Sequence, residues 1–190
     1  MTTDTKKFKI DKIKGDFAEL ICKHHFELMG CHINKVGIEE LSPAFAKLKS
    51  SKKAVEALKN RMQSMPDFLV VHPSLDNASF VEVKYRKNVT HEKLKQFSKK
   101  LHEEYSDFIR DGVPVYFYLV TNKKPYIHIM KANSLKHWEH TGGFYNVGVT
   151  DLDRLPFFKG ISSGKSDSFN SVYTNTIKQA IEGLLLNGNN

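Results

Sequence analysis

Apolar positions Ile13, Phe17, Leu20, Ile21, Phe26 and Leu28 recur at mostly three- and four-residue spacing between Lys12 and Met29. That period predicts a helix with one inward face, stopped by Gly30. Residues 31–38 alternate loosely, as a strand does, and Ser42 with Pro43 then opens a Lys-rich segment to Met62 that reads as a largely solvated helix. Two short apolar runs, Phe68 to Val71 and Phe80 to Val83, flank a connection containing Pro73, Asp76 and Asn77, which predicts antiparallel strands. Thr90 is a cap for a helix towards Ile109, with Leu94, Phe97, Leu101, Tyr105 and Phe108 on one stripe and Gly112 at its end. Val113 to Val120 is the most strand-like stretch, and Tyr126 to Met130 follows after a turn at 122–125.

Beyond Met130 the pattern thins. It predicts a short helix near 135–138, a strand near 144–149, a loop over 151–170 and a last helix over about 171–186. The stripe of Ile177, Ile181, Leu184 and Leu185 on that last helix caps the core in the preferred reading and leaves a homodimer open.

Composition narrows the class. The 190 residues are 40% hydrophobic and 26% charged, a soluble globular balance at a length that suits one domain. No window is apolar enough to span a bilayer, and the polar first 14 residues do not resemble a secretory signal, so the expectation is a cytoplasmic protein with no membrane partner. Cys22 and Cys31 are too few for a disulfide framework. Residues 1–100 carry 20 Lys plus Arg against 12 Asp plus Glu, whereas 101–190 carry nine of each. The whole excess of +8 therefore lies in the first half, where it would attract a phosphate polymer.

The informative chemistry spans the two apolar runs. Pro66-Asp67 precedes the first, and Glu82-Val83-Lys84 ends the second. Residues two apart on a strand share a face, so Glu82 and Lys84 lie on one side, and antiparallel pairing would bring Asp67 beside them. Neighbouring carboxylates resist joint ionisation, a cost that a divalent cation relieves, and hard oxygen donors suit Mg²⁺ or Mn²⁺. A lysine beside such an ion can hold the attacking water or stabilise charge on a phosphate undergoing substitution.

Pro66-Asp67, 14 residues, then Glu82-Val83-Lys84 resembles the signature of the PD-(D/E)xK nuclease superfamily, which includes restriction enzymes, Holliday-junction resolvases and Mrr-like endonucleases. The resemblance covers about residues 12–130, and Glu19 in the first helix resembles the additional helix ligand of many members. It implies an α/β fold with a restriction endonuclease-like αβββαβ core, a mixed central sheet flanked by helices, in one domain over 1–190 with a C-terminal helical extension from about 131. It further implies a metal-dependent endonuclease acting on DNA, with Asp67, Glu82 and Lys84 catalytic and Mg²⁺ or Mn²⁺ held by Glu19, Asp67, Glu82 and the Val83 carbonyl. Gln96 matches the auxiliary polar residue that many members place on the following helix. Arg86, Lys87, Lys93, Lys95 and Lys99 are candidate phosphate contacts, as are neighbouring Tyr85 and Lys100.

Plainer readings stand beside these. Asp67 can be a turn residue after Pro66, Glu82 with Lys84 an exposed strand pair, and Glu19 a helix-surface partner of Lys23 at i+4. At the level of function, the alternatives are a catalytically inactive nucleic-acid-binding or interaction module of the same fold, and an RNA-directed nuclease. The run Gly160 to Ser166 departs from a P-loop by one residue between its glycines, and Cys22, His24, His25, Cys31 and His32 match no structural zinc spacing.

Overall fold

The computed structural model describes residues 3–36, 53, 64–87, 90–121, 127–132 and 145–146. Its elements are α1 (Thr3–Leu28), β1 (His32–Lys35), β2 (Phe68–Val71), β3 (Ala78–Arg86), α2 (His91–Glu104), α3 (Ser106–Arg110), β4 (Val115–Thr121), β5 (Ile127–Lys131) and β6 (Tyr145–Asn146). The strands form one mixed sheet in chain order. Every neighbouring pair is antiparallel except β3 and β4, which run parallel because α2 and α3 carry the chain back across one face.

Alternation along the strands sorts the core into two layers. Val81 and Val83 of β3, with Tyr116, Tyr118 and Val120 of β4 and Ile129 of β5, face α1, where Ala18, Ile21, Cys22 and Phe26 cover them. Phe80, Val115, Phe117 and Met130 face the opposite way, against Leu101, Tyr105, Phe108 and Ile109 of α2 and α3. Helices thus cover both faces, and β4, interior on both, is buried at all seven positions. Inside the α1 layer, His25 Nδ1 and the Tyr118 hydroxyl are hydrogen-bonded at 2.8 Å.

Several boundaries differ from the sequence expectation for local reasons. The first helix extends upstream to Thr3, since its polar first turns carry no apolar stripe to mark them. The expected single helix 90–109 breaks at Tyr105, whose φ of −105° and ψ of 21° leave helical geometry, and resumes as α3. Gly112 ends that helix at φ +76°, a conformation glycine adopts without a Cβ clash. The hairpin expected from the two apolar runs is present, with Phe68 opposite Val81 and Val71 opposite Ala78. The Lys-rich segment after Pro43, apart from Lys53, and the features expected near 135–138 and over 147–190 lie outside the described residues.

Thr90 caps α2: its hydroxyl accepts from the Lys93 N–H at 3.3 Å. Thr90→Ala is expected to cost about 1 kcal/mol, read as a lower urea midpoint with unchanged slope.

Candidate active site

β2 begins one residue after Asp67. Continuing its register one step beyond Phe68 and Val81 sets Asp67 opposite Glu82, past the last ladder pair. There the Asp67 carboxylate turns into the gap and Oδ2 accepts the Val83 N–H at 2.7 Å. In an extended strand the N–H and C=O of one residue project towards the same neighbour, so the Val83 carbonyl also faces this open edge. Asp67 therefore continues the contact between β2 and β3 one step past the ladder through its side chain.

Glu82 and Lys84 share the α2 face of β3, and their side chains form an ion pair. Glu82 is only 3% exposed. This overturns the plainer reading of an exposed strand pair, because a buried carboxylate needs a compensating charge, and Lys84 reaches back to provide it.

Burial pushes the Asp67 carboxyl above its ordinary range, with the Lys84 ammonium, the Val83 N–H and the Lys35 ammonium pulling the other way. Glu19 is also raised, first by burial, then by the charge of Asp67, against the pull of Lys35. Glu19 thus senses the Asp67 charge. Glu19 does not pair with Lys23, which contacts Glu27 at 3.8 Å; Lys35 on β1 reaches Glu19 at 3.0 Å instead. Sequence reasoning missed Lys35, whose proximity depends on α1 packing over β1 and leaves no local signal. Removing this partner by Lys35→Gln is expected to shift the Glu19 titration further upward, read by carboxyl ¹³C NMR; an unchanged midpoint would show the pair to be electrostatically idle.

Further along the same face of β3, Arg86, Lys87, Lys93, Gln96, Phe97 and Leu119 line a cavity of about 310 Å³. Lys100 lies on its wall, whereas Lys99 is exposed on α2 outside it. Gln96 contacts Glu92 at 3.5 Å on the helix surface and belongs to this cavity. The side chain of Lys95 lies outside the described residues. Tyr85 points to the α1 layer, where Lys14 sits 5.7 Å from its ring centroid.

The groups that the register and the Asp67–Val83 bond bring to this edge offer oxygen donors only, the Asp67 and Glu82 carboxylates and the Val83 carbonyl, with Glu82 paired to Lys84. Among the described residues no three His, Cys, Asp or Glu side chains stand within reach of a common ion. Two carboxylates with a main-chain oxygen still suit Mg²⁺, which keeps several of its waters and takes one or two protein carboxylates. Cys22 and Cys31 are buried and packed in the α1 layer, not part of this set. No helix among the described residues is long and apolar enough to cross a membrane. Comparison with protein-family models, with curated proteins and with solved structures gave no match to this chain.

Proposed function

We propose that the chain is a metal-dependent endonuclease of the restriction endonuclease-like fold that hydrolyses DNA phosphodiester bonds. The observation that supports this most strongly is the hydrogen bond from the Val83 N–H to Asp67. It joins a carboxylate 16 positions away to the middle of the Glu82-Val83-Lys84 segment at one sheet edge. The order of α1, three antiparallel strands, α2 and a β4 parallel to β3 is compatible with the αβββαβ core of that fold.

Asp67, Glu82 and the Val83 carbonyl would hold Mg²⁺ or Mn²⁺, with Glu19 as an auxiliary ligand once released from Lys35. The ion, when bound, supplies Lewis-acid polarisation of the phosphoryl group and a more acidic water. Lys84 carries the complementary role. Its ammonium neutralises Glu82 in the resting protein and is placed to orient a water or to stabilise charge developing on the phosphate. Arg86, Lys87 and Lys93 line one cavity downstream of Lys84, where Lys87 and Lys93 would hold the phosphate backbone. Because ligation requires both carboxyls deprotonated, the raised Asp67 and Glu19 make metal affinity fall as pH is lowered.

Incubation of the protein with supercoiled and branched DNA tests the reading. Strand cleavage with Mg²⁺ or Mn²⁺ and none with excess chelator is expected. Salt-dependent DNA binding without cleavage under any of these conditions would assign a non-catalytic nucleic-acid-binding module instead.

A further inference from the structure

Resting on the nuclease reading, we infer that the cavity at Arg86, two residues along β3 from Lys84, takes one unpaired nucleotide of the substrate, so that the preferred DNA is single-stranded or locally unpaired next to the cut. Its size is the first argument. At about 310 Å³ it sits at the small end of ligand sites, enough for a nucleotide and too small for a duplex groove.

Its lining is the second. Paired DNA shows a protein its phosphates and groove edges, contacts that call for cations and hydrogen-bonding groups on a broad surface. This wall instead sets apolar Leu94, Phe97 and Leu119 among its cations, a surface suited to the flat face of a base. The Arg86 guanidinium lies over the Phe97 ring, 4.9 Å from its centroid, and Arg86 itself is exposed. A stacked guanidinium and aromatic ring form a flat cationic platform, the kind of surface on which single-strand-binding proteins stack bases. Lys93 and Lys100, both on α2, flank the platform with charge for the adjoining phosphate.

Position is the third. Arg86 follows Lys84 by two residues on the same face of β3, roughly 6.6 Å along the strand. A nucleotide step in an extended chain spans a comparable length, so a base on the Arg86 platform leaves its neighbouring phosphate at Lys84 and Glu82. A paired base could not enter without leaving its stack, which makes unpaired DNA the favoured substrate.

The test is fluorescence anisotropy in chelator, where binding is separated from cleavage, using a labelled oligothymidine of about ten nucleotides and a duplex of equal length. Wild-type protein is expected to bind the single strand about tenfold more tightly than the duplex. Arg86→Gln, a surface change, is expected to weaken single-strand binding about tenfold and duplex binding less than about threefold. Lys23→Gln, which removes the same charge on the α1 side, is expected to change either by less than about twofold. Equal or tighter duplex binding by wild type, or equal losses for both ligands in Arg86→Gln, would overturn the inference. Single-strand preference in a protein that never cleaves would leave the cavity assignment standing and remove the nuclease reading. Cleavage accompanied by duplex preference would do the reverse.

Discussion

Asp67→Asn is expected to lower DNA cleavage by about 10³-fold, a loss of the size seen when a group central to the chemistry is removed, while leaving the fold intact. The asparagine side-chain oxygen can still accept the Val83 N–H that Asp67 accepts at 2.7 Å. Burial already raises the Asp67 carboxyl, so removing its charge lightens a desolvation cost. The substitution therefore separates chemistry from structure: thermal stability should hold or rise while cleavage disappears. Lys84→Ala should be equally inactive but for mixed reasons. It leaves the Glu82 carboxylate, 3% exposed, without its ion-pair partner, a loss smaller than the about 3–5 kcal/mol of a fully buried pair because the Lys84 side chain is 32% exposed. Lys84→Ala combined with Glu82→Gln should recover most of that stability and none of the activity. Wild-type cleavage by Asp67→Asn would place the chemistry elsewhere.

The edge that joins Asp67 to Val83 was legible before any coordinates because each of its determinants is local. Pro66 and the Asp76-Asn77 connection bracket two short apolar runs, and period-two alternation then sets which side chains share a face. The strand β4 itself was legible for a related reason, since burial on both faces leaves a continuous apolar run, whereas its parallel pairing with β3 left no local signal. What escaped depends on packing between distant segments. Glu19 has Lys23 as its candidate at i+4, and the placement of α1 over β1 pairs it with Lys35 instead. The depth of Glu82 escaped too, because an acidic residue in a strand ordinarily signals a solvated face. Tyr105 shows a third limit: helical spacing continues through it into Phe108, so the stripe conceals the break between α2 and α3.

The second large effect is a dependence of stability on pH centred on His25. Complete burial lowers its imidazole from an ordinary 6.5 to about 3, with the neighbouring His24 adding to the shift. Between those values the unfolded chain binds a proton that the folded protein refuses. Stability present above pH 6.5 is thus lost progressively as pH falls towards 3, at up to about 1.4 kcal/mol per pH unit. Glu19 and Asp67 act in the opposite sense, since carboxyls raised in the folded state favour folding as they protonate. The His25 contribution is accordingly the difference between wild type and His25→Gln in urea unfolding at several pH values. The variant starts less stable at pH 7 through loss of the 2.8 Å bond to Tyr118 and of packing against Phe26. Its stability should then fall less steeply with acid, the gap between the two proteins closing by about 3 kcal/mol by pH 4. Parallel pH profiles would contradict a neutral buried imidazole.

Calorimetric titration of Mn²⁺ into wild type, Asp67→Asn and Glu82→Gln at neutral pH tests the proposed metal site apart from any substrate. A saturable wild-type isotherm that both substitutions weaken by tenfold or more is the expected result. An isotherm that survives both unchanged, or no binding by the wild-type protein, would contradict a metal centre at this sheet edge.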